Sequence, residues 1–159
     1  MRTQKTSAGF TIIEMVVVVI IIGILSTLVI TTYSGVQAQN RNKDRQADID
    51  TLQSQLEVYY AQYSRYPTLA NINDSAWRQA NLKNLSTDTL KDPRWSDKNN
   101  NCAPAKQVAV INTVKTGCYT YQPVGPDGAA CNNDAVECTQ YTLTAQLEGT
   151  GKYVKGSLN

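Results

Sequence analysis

One acidic residue inside a long apolar run is the feature that most constrains this chain. Between Phe10 and Ile30 the only ionisable side chain is Glu14, and the next charge is Arg41. About 20 apolar residues in a helix cover the roughly 30 Å hydrocarbon core of a bilayer. An acid at the centre of such a helix costs about 2.5 to 3.5 kcal/mol on insertion scales. The run therefore predicts a membrane helix whose Glu14 needs a partner.

The partner of Glu14 is not a neighbour in its own helix. No Lys, Arg or His lies within a helical turn or two, so a local pair cannot neutralise the carboxylate. A cut between Gly9 and Phe10 would create an α-ammonium group on Phe10. In a staggered bundle of identical helices, that cation on one copy lies beside Glu14 of the next. The shielded pair would then fix the register of assembly.

The residues around this acid resemble a known processing signal. A basic leader ends in Gly9, Phe10 follows, and Glu14 is the fifth residue of the cut product. Together with the apolar run, including Gly23 and Tyr33, this pattern is similar to the class III signal of type IV pilins and pseudopilins. The resemblance implies a prepilin peptidase that cuts after Gly9 and N-methylates Phe10. It also implies a filament whose core is made of packed helices.

Two other interpretations of the N-terminus remain open at this point. A secretory signal peptide would use the segment 36–38 as its cleavage site, but its apolar region is usually 7 to 15 residues long, shorter than this run. A plain single-pass anchor would have Arg2 and Lys5 on the cytoplasmic side. The anchor explains the orientation equally well and leaves Glu14 without a role.

The helix is predicted to continue well past the apolar run. The first proline beyond it is Pro67, and the residue before a proline disfavours helix, so we expect one helix from Phe10 to about Arg65. Thr31 stands where many pilins have a helix-kinking proline, and Gly35 is the expected soft point. The second half carries an apolar stripe at steps of three and four: Ile49, Leu52, Leu56, Tyr59 and Tyr63.

The remaining residues predict a small globular head. Asp74 can cap a short helix that reaches about Leu85, and a turn that ends at Trp95 follows. Runs that alternate apolar and polar residues then favour strands of an antiparallel sheet with one wet face. The expected strands are Gln107 to Val114, Cys118 to Gln122, Tyr141 to Leu147 and Lys152 to Val154.

The expected fold class is therefore α+β. The resembled family implies the pilin fold, in which a long N-terminal α-helix with a membrane half and an amphipathic half packs on a small antiparallel β-sheet head. The predicted division of the chain is a leader at 1–9, a transmembrane or filament-core helix at 10–33, its amphipathic continuation at 34–66 and a head at 67–159, which contains a disulfide-stapled loop.

Cysteine usage places the head outside the cytoplasm. The four cysteines, Cys102, Cys118, Cys131 and Cys138, all lie late in the chain, in the part that the positive-inside rule exports. An even set in such a compartment favours two disulfides. Three pairings are possible, and the most local joins Cys102 to Cys118 and Cys131 to Cys138. The spacings match no zinc site, and the chain has no histidine.

One loop carries candidate metal ligands. Asp127, Asp134 and Glu137 lie in the segment from Pro123 to Cys138, which is rich in Gly, Pro, Asn and Asp. Related loops in pseudopilins bind calcium, so these acids are candidate calcium ligands by that resemblance. Solvated loop acids are the commoner case. No other metal and no cofactor is expected.

Charge and motif content favour a structural protein. The formal net charge is +2, and Arg2 and Lys5 of the leader supply that excess, so bulk charge does not argue for nucleic-acid binding. A cysteine nucleophile would lack an imidazole partner. We therefore expect no enzyme and no catalytic residue.

The sequence predicts a pilin subunit that is processed by prepilin peptidase and assembled through its N-terminal helix. It would start as a single-pass precursor in the cytoplasmic membrane and end in an extracellular filament, as a homo-oligomer or co-polymer with other pilins, serving adhesion, twitching motility or DNA uptake. One alternative is a pseudopilin of a type II secretion or competence system. Another is a monomeric membrane-anchored receptor or adhesin domain.

Overall fold

A single long helix dominates the computed structural model, which describes residues 9–97, 102, 110–149 and 151–159, with only the backbone of residues 28–32. Helix α1 spans Ile12–Tyr63, 52 residues, and is uninterrupted at Thr31 and Gly35. The prediction of one helix from Phe10 to about Arg65 is therefore confirmed within two residues at either end. It stops where Ser64 takes a left-handed φ of 55° and its N–H binds the Tyr60 carbonyl at 2.7 Å.

Two short helices follow the long one. Helix α2, Leu69–Asn73, starts at a capping box between Thr68 and Asn71, and helix α3, Ser75–Asn81, is capped by Asp74 as predicted. The helix capped by Asp74 was predicted to reach about Leu85, and this is wrong because α3 ends at Asn81. The chain turns at Leu82 instead, because this turn lets Leu82 and Leu85 both enter the core.

The head contains a four-stranded sheet in the order β1-β2-β3-β4. Its strands are β1 (Val110–Ile111), β2 (Tyr119–Val124), β3 (Gln140–Gln146) and β4 (Lys152–Gly156). Strands β2, β3 and β4 pair antiparallel, each with its neighbour. Residues 107–109 of the predicted first strand lie outside the described residues.

The prediction of an entirely antiparallel sheet is wrong at its first strand, which pairs parallel with β2 over two residues. The backbone groups of Val110 explain how so short a strand is held. The Val110 N–H donates to Asn73 Oδ1 and the Val110 carbonyl accepts from Asn73 Nδ2, both at 3.0 Å. A side-chain amide thus satisfies Val110 as a further strand would, and the α+β class with a mixed sheet stands.

The core of the head forms between α1 and one face of the sheet. The predicted stripe is buried at Ile49, Leu52, Leu56 and Tyr59, each at most 8% exposed. Tyr63 departs from the prediction and is 43% exposed, because α1 ends there. Its ring contacts that of Tyr59, with 4.5 Å between ring centroids. The sheet supplies the buried side chains Tyr119, Tyr121, Tyr141, Leu143 and Ala145.

The chain divides into two compact units between Ala38 and Gln39, within α1. The second unit, from Gln39 to Asn159, contains the second part of α1, the short helices and the sheet, and the name head refers to its residues 67–159. Within the described parts of the chain, no helix has a stretch of the length and hydropathy that mark a membrane span.

Candidate functional site

The N-terminal part of α1 is an apolar surface without intrachain cover. Every side chain described from Gly9 to Thr27 is exposed, and so are those from Tyr33 to Gln37. Phe10 is 74% exposed and Ile12 85%. Within the described residues, this segment has no buried side chain. It therefore contrasts with the head, where α1 buries one face.

Glu14 lies at the start of this helix and caps it. The Glu14 N–H donates to Thr11 Oγ1 at 3.3 Å, and the Thr11 N–H donates to Glu14 Oε2 at 3.5 Å. This reciprocal pair is a capping box, and the carboxylate also lies at the positive end of the helix dipole. Sequence reasoning missed it, although the spacing from Thr11 to Glu14 is the capping-box spacing.

Phe10 and Gly9 lie immediately before this cap. In the described residues, Glu14 takes part in no ion pair. The predicted partner, an α-ammonium group on Phe10 of another copy, therefore stays a prediction. The leader up to residue 8 lies outside the described residues.

The second part of α1 begins with an ionic cluster, which consists of Arg41, Asn42, Arg45, Asp92 and Glu148. Arg45 and Asp92 form a bidentate pair at 2.5 and 3.0 Å, and their side chains are 2% and 1% exposed. Glu148, just after β3, accepts two bonds from Arg41 at 2.5 and 2.6 Å and one from Arg45 at 3.1 Å.

The electrostatics of the cluster favour a charged Glu148. The hydrogen bonds from Arg41, with those from Arg45, lower the pKa of the Glu148 carboxyl to about 2. Sequence reasoning did not identify this cluster. One signal was available, because Arg45 lies four residues before Ile49 on the same helical stripe, where a cation requires a buried partner.

A second set of polar contacts joins carboxylates of α1 to tyrosines of the sheet. Asp48 accepts from Tyr119 Oη at 2.6 Å and Glu57 accepts from Tyr141 Oη at 2.7 Å. Burial raises the pKa of the Asp48 carboxyl to about 6, against the opposing effect of its hydrogen bond from Tyr119. The rings of Tyr119 and Tyr141 are thus buried in the core, and their hydroxyl groups bind carboxylates of α1.

The structure joins Cys102 to Cys118 and Cys131 to Cys138, the most local of the three possible pairings. The second disulfide closes the loop that contacts the end of α1. There the Tyr66 N–H donates to the Cys138 carbonyl at 2.7 Å. The loop is therefore bound to the helix end through backbone atoms.

The candidate calcium ligands do not form a site in the described residues. Asp127, Asp134 and Glu137 are exposed, and Glu137 lies 3.6 Å from the Arg65 guanidinium. Among the described side chains, no group of three or more His, Cys, Asp or Glu has the arrangement of a metal site. Calcium binding stays a prediction that these contacts do not support.

Comparison with known proteins gives one family match and several relatives. Residues 4–30 match the family model described as the prokaryotic N-terminal methylation motif. The type II secretion system core protein G of Escherichia coli (strain K12) is 27% identical over 86% of this chain and 93% of its own length. The protein of the same name from Dickeya chrysanthemi is 37% identical over 41% of this chain and 42% of its own length.

A pilin is also among the relatives. The type IV major pilin protein PilA of Myxococcus xanthus (strain DK1622) is 30% identical over 44% of this chain and 32% of its own length. The chain thus spans less than half the length of the Dickeya and Myxococcus relatives. No solved structure matches. The chain therefore carries the prokaryotic N-terminal methylation motif and is similar to type II secretion system core proteins G and to a type IV major pilin.

Proposed function

We propose that this chain is a structural subunit of a type IV pilus-like filament. It is made as a precursor in the cytoplasmic membrane with its head outside, cut after Gly9 by a prepilin peptidase, and methylated on Phe10. It then assembles with identical copies, or with other pilins, through the N-terminal part of α1. The observation that carries this proposal is the uncovered apolar surface of that helix together with its single acid, Glu14.

An apolar surface of this size needs a cover. Soluble monomers rarely expose contiguous apolar patches larger than a few hundred Å², whereas in this chain each described apolar side chain from Phe10 to Leu25 is at least 46% exposed. Lipid covers it in the precursor and neighbouring helices cover it in the filament. This double use explains why the segment lacks the polar face that a surface helix of a soluble protein carries.

Glu14 gives the assembly its register. In the single chain its carboxylate interacts with the backbone N–H of Thr11, next to Phe10. After cleavage, the α-ammonium group of Phe10 on a neighbouring copy supplies a full positive charge, which is a stronger partner in a low-dielectric environment than a backbone N–H. Cleavage and assembly are thereby coupled by one acid.

The second candidate function is a pseudopilin of a type II secretion or competence system. The observation that favours it is the relative from Escherichia coli, a type II secretion core protein that matches over 93% of its own length. Both candidates use the same processing and the same helix packing. Adhesion and motility follow from the pilus form only, whereas DNA uptake is compatible with either candidate.

The mature N-terminus tests the processing step. Mass spectrometry of the chain from membranes is expected to find a product that begins with N-methylated Phe10. The monomeric receptor or adhesin predicts an intact Met1, and a signal peptide cut after residue 38 predicts a start at Gln39. Either of the last two results would contradict the pilin proposal.

The Glu14→Ala variant tests the register. We expect normal insertion in the membrane and a near-complete loss of entry into filaments, because the buried α-ammonium group then has no counter-charge. The control is Glu137→Ala, which removes an exposed acid of the head and is expected to assemble normally. Assembly of Glu14→Ala at the wild-type level would disprove the electrostatic register.

Composition of surface filaments separates the two candidate functions. Filaments sheared from cells that consist mainly of this chain would establish a pilus subunit. Absence of such filaments, together with failure to export secreted proteins when the chain is deleted, would establish the pseudopilin instead.

A further inference from the structure

Polar contacts bind α1 to the head from Arg41 to Glu57, whereas buried apolar contacts begin only at Ile49. From Ile49 to Tyr59 the contacts include the buried apolar stripe. From Arg41 to Asp48, every side chain that is buried or half-buried is polar, and the only apolar residue, Ala47, is exposed. These two turns are therefore held through polar side chains, which form hydrogen bonds and ion pairs.

The ionic cluster makes these first contacts from two separate places in the head. Asp92, from the turn after α3, holds Arg45. Glu148, from the turn between β3 and β4, holds Arg41 and also binds Asn42 through its backbone: its N–H donates to Asn42 Oδ1 at 2.8 Å and its carbonyl accepts from Asn42 Nδ2 at 3.2 Å.

The outer and inner parts of the cluster differ in exposure. The Arg41 and Glu148 side chains are 29% and 20% exposed, so salt and water reach this pair. The inner pair of Arg45 and Asp92 is buried, so removal of either partner would strongly destabilise the head. The five residues of the cluster are not part of the apolar core, and the described link from this segment to a core side chain is the hydrogen bond that Asp48, its last residue, accepts from Tyr119 at 2.6 Å. The polar segment can therefore open with the loss of that bond while the stripe stays packed.

We propose that the ionic cluster is a clasp that holds residues 41–48 of α1 on the head and releases them as a unit, independently of the apolar stripe. Its five residues are then positioning residues for filament assembly, a part of the proposal that rests on the proposed function. Release would extend the length of α1 that the head does not hold by about 12 Å, at 1.5 Å per residue for the eight residues from 41 to 48.

The experiment is amide hydrogen exchange on the unassembled full-length chain in detergent micelles, with the variant Glu148→Gln. This change retains the backbone bonds to Asn42 and weakens the bonds to both arginines. Exchange in residues 41–48 is expected to accelerate by at least about tenfold, since charge-assisted bonds each stabilise by about 1.5 to 3 kcal/mol and a tenfold change corresponds to 1.4 kcal/mol. The complementary variant Leu56→Ala, in the stripe, is expected to accelerate exchange in residues 49–59 and to leave residues 41–48 within about twofold of the wild type, because the polar segment opens without the stripe.

The matched control is Asp88→Asn, which alters an exposed ion pair with Lys91 elsewhere on the head and is expected to leave residues 41–48 unchanged. Unaltered exchange in 41–48 of Glu148→Gln would overturn the clasp, and so would equal acceleration of 41–48 and 49–59 in Leu56→Ala. The variant Arg41→Gln must accelerate the same segment, or the outer pair has no part in the clasp.

The positioning role has its own readout. Glu148→Gln is expected to lower filament yield severalfold, whereas Ile49→Val, which also destabilises the head but leaves the clasp intact, is expected to keep the wild-type yield. Wild-type yield despite faster local exchange would overturn this role. Because hydrogen exchange is measured before assembly, failure of the clasp is distinguishable from failure of the proposed filament function.

Discussion

The two parts of α1 differ in where their stabilising contacts come from. The part that precedes Gln39 exposes nearly every described side chain, whereas the part from Gln39 to Tyr63 buries an apolar stripe and an arginine. Both form the same backbone hydrogen bonds and belong to one helix. Local sequence therefore suffices to specify the helix, whereas contacts with other segments decide whether one of its faces is buried. The head covers one face of the second part, whereas the described side chains of the first part have no cover within the chain.

The largest expected effect on head stability comes from breaking its buried ion pair. Asp92→Ala leaves the Arg45 guanidinium buried without its carboxylate, and we expect a loss of about 3 to 5 kcal/mol in the free energy of unfolding of the head. Chemical denaturation followed by circular dichroism measures it. Asp88→Ala, at a side chain that is 91% exposed, should cost at most about 1 kcal/mol. Equal losses in the two variants would show that burial of the pair is unimportant.

Truncation of one apolar side chain in each part of α1 tests the comparison directly. Leu56→Ala, at a fully buried position, is expected to destabilise the head by about 2 to 5 kcal/mol through the cavity it leaves. Val18→Ala, at a position 46% exposed, should leave head unfolding within about 0.5 kcal/mol. A comparable loss from Val18→Ala would mean that the first part of α1 supports the head after all.

Burial of the Asp48 carboxyl predicts that the stability of the head depends on pH. Because burial raises the folded-state pKa of Asp48 from 3.8 to about 6, the folded head binds the proton more tightly than the unfolded chain. The stabilisation of the head by protonated Asp48 is complete below pH 3.8 and is lost as the pH rises through about 6.

Asp48→Asn should remove this dependence and stabilise the head at pH 7 by on the order of 1 kcal/mol, after allowance for partial exposure. Thermal unfolding from about pH 4 to pH 7 measures both effects. Glu148 acts with the opposite sign, since its contribution is present above pH 4.5 and is lost as the pH falls toward about 2. If the stability of Asp48→Asn fell between about pH 4 and pH 5.5 as steeply as that of the wild type, the dependence would belong to another group.

The smallest expected effect is at the start of the exposed part. Thr11→Val removes the hydroxyl that accepts from the Glu14 N–H and should cost about 0.5 to 1 kcal/mol of local helix stability, with no change in head unfolding. Amide exchange of residues 12–15 in micelles measures it. Thr27→Val, in the middle of the helix, is the control and should leave those amides unchanged. No fraying in Thr11→Val would remove the capping box from the description of Glu14.

Much of the fold followed from periodicity. The apolar stripe predicted the buried face of α1 because residues three and four apart share one side of a helix. Pro67 predicted the helix end, and Asp74 predicted a cap. Three of the expected strands are present with shifted ends, since strand ends depend on pairing partners that a single sequence does not show.

The missed features depend on contacts between distant residues. The parallel pairing of β1 required Asn73, 37 residues earlier, to satisfy the backbone of Val110. The ionic cluster joins Arg45 to Asp92 across 47 residues and Arg41 to Glu148 across 107. No short-range pattern specifies such partners, because charged residues along the chain outnumber the pairs that the fold selects.

The N-terminal processing motif, the long helix and the α+β class could be predicted from the sequence, because each depends on local spacing and hydrophobic period. Which charges are buried together, and which part of α1 the head holds, are seen only in the folded chain, since burial and pairing arise when distant segments meet. The position of Glu14 is known from the sequence, whereas its capping contact with Thr11 is seen only in the folded helix.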